Sequence, residues 1–118
     1  MEYDNNNIFA RILRGEIPCN KAFENEFVLA FYDITPKAPK HILVIPKGAY
    51  TDVGDFGEKA SSTEHAAFFN AIAVIVEQEK LTEKGYRLIA NTGEHGGQEV
   101  PHFHMHILGG EPIGPMRG

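Results

Sequence analysis

The chain is short of thiols, of positive charge and of long apolar runs, and each shortage removes a class of function. Cys19 is the only cysteine, which leaves no intrachain disulfide and no thiolate metal cluster and fits a reducing compartment. Lys and Arg number 11 against 16 Asp and Glu, for a net charge of -5. Binding to a nucleic-acid polymer rests on Lys and Arg neutralising phosphates, so no such polymer is expected as a partner, whereas a single nucleotide stays open. No stretch nears the length of a membrane span, and residues 1–7 are polar and acidic where an exported chain carries a basic, then apolar, leader. The expectation is a cytoplasmic protein without a membrane partner. Internal repeats and low-complexity segments are absent too. The 118 residues suit one domain, 1–118, that buries about two-thirds of its unfolded-chain surface, and 42% hydrophobic with 23% charged residues is an ordinary globular composition.

What the chain does have is concentrated near its C-terminus, in His102-Phe103-His104-Met105-His106-Ile107-Leu108, closing on Gly109-Gly110. On a strand, successive side chains point to opposite faces, so three imidazoles line one face while Phe103, Met105 and Ile107 line the other. Three imidazoles add nothing to a hydrophobic core, and each brings ring nitrogens that need partners when buried. Clustered titratable groups point first to acid–base or nucleophilic chemistry. A zinc clamp built on the i, i+2 pair and a plain polar face are the alternatives.

The rest of the chain reads as a frame for that strand. Asn5-Asn6-Asn7 offers N-caps for a short amphipathic helix carrying Ile8, Phe9, Ile12 and Leu13, ended by Gly15 and Pro18. It reads as a lid or wall. Residues 21–24 and 27–32 read as two strands around a turn at Asn25-Glu26, and Thr35-Pro36-Lys37-Ala38-Pro39 as a rigid connector. Residues 41–46, nearly all apolar, read as a strand covered on both faces with His41 at its mouth. Residues 48–59 are polar and glycine-interrupted. Ser61-x-x-Glu64 is a capping box opening a helix over 62–80, with Phe68, Ile72 and Ile75 as its apolar stripe and Phe69 and Val76 widening it. A strand over 86–91 and a glycine-rich loop, residues 92–100, lead through Pro101 into the triad. Consecutive N–H groups in such a loop can cradle an anion.

A neutral imidazole can attack phosphorus while a second one serves the phosphate or the leaving group, and an anion-binding loop beside them completes a phosphoryl or nucleotidyl transfer site. Spacing carries the reading that far and leaves the substrate open.

With these motifs assembled, the chain resembles the histidine triad (HIT) superfamily, and within it the histidine-triad nucleotide-binding (Hint) branch. The resemblance rests on residues 102–108 between Gly96-Gly97-Gln98 and Gly109-Gly110, with Ile8-Phe9-x-x-Ile12, Glu16-Ile17-Pro18, Asp33-Ile34 and Ala38-Pro39-x-His41 through Val44-Ile45-Pro46-Lys47 upstream. It implies an α+β, HIT-like fold with an antiparallel sheet of about five strands and two helices, joined sheet to sheet across a homodimer. It implies hydrolysis of purine nucleoside 5′-phosphoramidates with no metal and no cofactor. His104 would be the nucleophile, His106 would contact phosphate and leaving group, His102 would support the nucleophile, and His41 would lie behind His102. Asp33 would bind ribose, Phe9, Ile12 and Ile34 would surround the base, and Asn91 with the backbone of Gly97, Gln98, Glu99 and Val100 would face the phosphate. Two positions depart from the pattern: Glu99 stands where some members carry serine, which favours amine-bearing leaving groups, and Pro101 where an aromatic residue is frequent. A branch resembling H-x-H-x-Q transfers nucleotides to sugar phosphates; His106 here favours hydrolysis. A purine-nucleotide-binding regulatory protein without turnover, and a zinc protein, are the rival classes.

Overall fold

The computed structural model describes residues 2–117. Its elements in chain order are α1 (Ile8–Leu13), β1 (Lys21–Glu24), β2 (Val28–Tyr32), β3 (Lys40–Pro46), α2 (Val53–Lys59), α3 (Ser62–Gln78), β4 (Tyr86–Ile89), α4 (Gly93–Gly96) and β5 (Met105–Gly109). The five strands form one antiparallel sheet in the order β1-β2-β3-β5-β4, as expected for an α+β fold. No helix among the described residues is long and apolar enough to cross a membrane.

The central strand β3 explains the layering. Its residues alternate between two covered faces, Ile42 and Val44 toward α3 and Leu43 and Ile45 toward α1, so all four are buried and the run reads as continuously apolar. On the α3 side, Phe68, Ala71, Ile72, Ile75 and Val76 meet Val28, Ala30, Phe103 and Ile107. On the other side, Phe9 packs on Leu29, Phe31, Leu43 and Ile45, leaving a second, smaller cluster that borders open space.

Helix α3 starts as its capping box dictates: Ser61 Oγ accepts the Glu64 N–H and Glu64 Oε1 accepts the Ser61 N–H. Phe69 does not join its buried stripe and is 60% exposed. Two further helices appear where the sequence reads as loop. One is α2, despite Gly54 and Gly57. Asp52 caps it through the Asp55 N–H, and Phe56 is buried among Tyr50, Phe68 and Phe103. Burying one Phe contributes about 1.5–3 kcal/mol, which offsets about 1 kcal/mol lost at each glycine. The other is α4, a single turn in the glycine-rich loop, closed by Gly97 at φ +73°.

Strand β5 begins at Met105, three residues later than the alternation suggests. The backbone ahead of it pairs with loops: the His102 N–H donates to the Val100 carbonyl and the Phe103 N–H to the Tyr50 carbonyl. Pro46, which ends β3, has no N–H to extend the ladder. The side chains still alternate, with Phe103 in the α3-side core and His102 and His104 turned the other way. At the far end of β5 the chain turns at Gly110, where φ is +92° and a Cβ would come within 2.9 Å of Pro39 Cβ.

Candidate active site

The face of β3 and β5 opposite α3 floors a cleft of about 660 Å³ walled by α1, the connector after β2 and the loop after β4. That volume suits a small organic ligand. His104 and His106 enter it from β5 and the residues just ahead of it, His41 from the start of β3, and Asp33 from the end of β2.

The hydrogen bonds fix most of the tautomers. A carbonyl only accepts, so the 2.7 Å contact of His104 Nδ1 with the His102 carbonyl puts a proton on Nδ1 and leaves Nε2 of the neutral ring as a lone pair. By the same argument His102 Nε2–H donates to the Pro46 carbonyl at 2.9 Å, and its Nδ1 accepts from the Tyr3 hydroxyl at 2.6 Å. His102 is fully buried with both nitrogens occupied, so it supports His104 and does not line the cleft.

His41 corrects one expectation: it lies beside His106, not behind His102. Its Nδ1 accepts the Lys37 N–H at 3.0 Å, so Nε2 carries the proton and donates to His106 Nδ1 at 2.9 Å. Neutral His106 then holds its proton on Nε2. The strand register is the reason. His41 pairs with Leu108 and Leu43 with His106, which makes His41 and His106 diagonal neighbours on one face.

Burial disfavours the charged form of all four rings. It lowers His102 to about 4, helped by the neighbouring His104, and His106 to about 4, helped by His104 and His41. His104 is lowered by burial against the opposing pull of the His102 carbonyl, Glu99 and Asp33, and His41 by burial against Asp33. A neutral imidazole with a free Nε2 at the floor of a cleft is equipped for nucleophilic attack at neutral pH.

The remaining residues divide. Phe9, Ile12, Asp33, Ile34, Asn91, Gly97, Glu99 and Val100 all border the cleft, although Ile34 is 94% exposed and reaches it only from the rim. Gln98 does not border it. Its Oε1 accepts the Gly93 N–H, and its Nε2 donates to the carbonyls of Thr51 and Val100, so it braces the loop. The N–H groups of Gly97 and Gln98 close the α4 turn, and Asn91 Nδ2 donates to the Gly96 carbonyl. The N–H groups of Glu99 and Val100 have no acceptor among the described residues, so of the expected cradle only those two donors are free. Sequence reasoning missed Tyr3, Phe31, Leu43 and the Lys37 backbone. None of them carries a motif signal, and tertiary packing alone brings them to the site.

One group of donors could be read as a metal clamp: atoms of Asp33, His41 and His106 lie within 4.8 Å of one another. Both His41 nitrogens are in hydrogen bonds, one of them to His106 itself, so an ion there would have to displace a shared proton.

A covered sheet with a histidine-lined cleft of this design defines a histidine triad protein. Residues 14–113 match the HIT domain model, and the chain belongs to that family. It is 54% identical over 114 residues to an uncharacterised 13.2 kDa HIT-like protein of Azospirillum brasilense, covering 97% of this chain and 93% of that one. It is 49% identical over 113 residues to the purine nucleoside phosphoramidase of Escherichia coli K12, covering 92% and 91%. The structure superposes on a HIT family hydrolase from Legionella pneumophila with a TM-score of 0.88 at 40% identity, over 96% of this chain and all of that one. Within the family the chain sides with the hydrolases.

Proposed function

We propose that this protein hydrolyses purine nucleoside 5′-phosphoramidates in two steps through a nucleotidyl group on His104. The observation that carries the reading is His104 itself, with Nδ1–H held by the His102 carbonyl and Nε2 open to the cleft. Nε2 attacks the α-phosphorus and the P–N bond breaks, sending the nitrogen out as an amine with one added proton. Water then opens the N–P bond on His104, releases the nucleoside monophosphate and gives back a proton, so the cycle closes without a cofactor. His106 Nε2–H, oriented by His41, is the donor beside the phosphoryl group and the leaving nitrogen. The base lies between Phe9, Ile12 and Phe31, and Asp33 Oδ2 takes the ribose hydroxyls, since Oδ1 already accepts the Thr35 N–H at 2.7 Å. The likeness to the E. coli purine nucleoside phosphoramidase supports the P–N bond and the purine. Release of AMP from adenosine 5′-phosphoramidate by purified protein, with a nucleotidyl adduct on His104 trapped by acid quench, tests the proposal; absence of turnover would leave nucleotide binding without chemistry.

The same reading includes a homodimer. Edge strand β4 exposes Tyr86 and Leu88, and α3 exposes Phe69 and Val74; a second copy pairing along β4 would extend the sheet and cover the β4 side chains. Sedimentation at micromolar concentration, repeated with Leu88→Lys, checks it.

A further inference from the structure

The mechanism above needs the His102 carbonyl in one place, and that carbonyl sits on backbone outside the strand ladder. Two backbone bonds pin that peptide, from the His102 N–H to the Val100 carbonyl and from the Phe103 N–H to the Tyr50 carbonyl, and the side-chain hold is the His102 ring, fully buried and tied at both nitrogens. Its Nε2–H is fixed by the Pro46 carbonyl, so Nδ1 is an acceptor, and among the described residues the Tyr3 hydroxyl, 99 positions away in sequence, is its donor at 2.6 Å. The two rings also meet edge to face, centroids 5.6 Å apart. Tyr3 precedes the matched HIT region and is delivered by a turn around Asp4: the Asn7 N–H and Nδ2 both donate to the Asp4 carbonyl, and Asp4 Oδ1 accepts the Asn6 N–H. Asn7 in turn caps α1, whose Phe9 stands edge-on to His104 at 5.0 Å.

We propose that Tyr3 is a positioning residue for the nucleophile: by donating to His102 Nδ1 it locks that ring, and with it the carbonyl that orients His104, so that His104 Nε2 faces the cleft. Without the hydroxyl a buried nitrogen loses its donor, and such a group costs more unpaired than its hydrogen bond contributes when made. The ring is then free to shift, and water can reach it from the N-terminal side. Tyr3 and His104 are the titratable groups facing His102; Glu99, Asp33 and His106 are those facing His104. Burial opposes a charged His104; the bond to the His102 carbonyl is the largest pull toward it, ahead of Glu99 and Asp33, so a displaced carbonyl moves its titration to lower pH.

The proposal rests on phosphoramidate hydrolysis for its kinetic readout and carries a second readout that does not. Tyr3→Phe keeps the ring and removes the hydroxyl. With adenosine 5′-phosphoramidate its kcat should fall about tenfold, the rate equivalent of one neutral hydrogen bond, with KM within about twofold. The acid limb of its pH profile should move down, and the nitrogen-15 titration of the His104 ring should move with it. Tyr3→Ala should shift both further. A Tyr3→Phe protein with wild-type kcat, acid limb and His104 titration overturns the proposal, whatever happens to its melting temperature, because an N-terminal anchor alone would change only stability. If the wild-type protein does not turn over the substrate, the hydrolysis reading fails, and the His104 titration in the two variants still decides the role of Tyr3.

Discussion

His41 Nε2 donates to His106 Nδ1 across the β3–β5 pair at 2.9 Å, and the Lys37 N–H behind it fixes which nitrogen of His41 has the proton to give. A backbone amide in the proline-bounded connector thereby determines that neutral His106 presents Nε2–H to the cleft. Replacing His41 with Phe keeps the bulk and removes the relay. We expect kcat to fall by about ten- to a hundredfold with little change in KM, at the low end of what acid–base partners contribute. An unchanged kcat would show that His106 does not depend on His41 for its orientation.

His104→Ala removes the covalent path and leaves the packing around it. Turnover should drop by several powers of ten, as is usual when a nucleophile is lost, while AMP binding by calorimetry stays near wild type. Retention of more than about one per cent of activity would place the attacking group elsewhere.

Asp33 divides its carboxylate between its own turn and the cleft. Asp33→Asn should keep the turn, because an amide oxygen still accepts the Thr35 N–H, and weaken the preference for ribose over deoxyribose. A charge-assisted hydrogen bond is typically worth about 1.5–3 kcal/mol, so the preference should fall by roughly tenfold or more. The ratio of kcat/KM for the two sugars measures it directly; an unaltered ratio removes Asp33 from the sugar site.

How much of this could be read in advance depends on whether a residue's signal is local. The alternation of residues 102–108, the doubly covered run of β3 and the Ser61–Glu64 capping box are local patterns, and each has its structural counterpart. The neighbour of His41 was not legible, because it depends on a cross-strand register that no single segment encodes. Helix α2 was hidden by Gly54 and Gly57, whose poor propensity is overridden by the distant partners of Phe56. Tyr3 gave no sign at all: its meaning comes from a buried nitrogen 99 positions away.

The four lowered imidazoles make a prediction about stability, with a definite sign. In the unfolded chain each histidine titrates near about 6.5; folded, His102 and His106 titrate at about 4, and His41 and His104 are also below their ordinary value. Between these limits the unfolded chain binds more protons, so the stability of the neutral, buried rings is fully present above about pH 6.5 and is lost as the pH falls toward 4. Each group that protonates only on unfolding costs about 1.4 kcal/mol per pH unit. Urea midpoints at pH 7.5, 6 and 5 should fall steeply between the last two, and His102→Asn should flatten the slope. A midpoint that holds constant from pH 7.5 to 5 contradicts buried neutral rings.

The zinc alternative makes the opposite demand of the same nitrogens. A catalytic zinc takes three protein ligands and an open position, but His102 has both nitrogens in hydrogen bonds and His104 has Nδ1 on a carbonyl, so the triad cannot converge on one ion. The nearest candidate set, Asp33, His41 and His106, has His41 bonded to the Lys37 N–H and to His106 itself. Metal binding there would cost the hydrogen bond that orients His106. We therefore expect full phosphoramidate turnover after dialysis against EDTA and no stoichiometric zinc by elemental analysis. Should activity vanish with the metal and return on adding zinc, a zinc-bound hydroxide would have to replace His104 as the attacking group, and acid quench would then find no nucleotidyl-histidine.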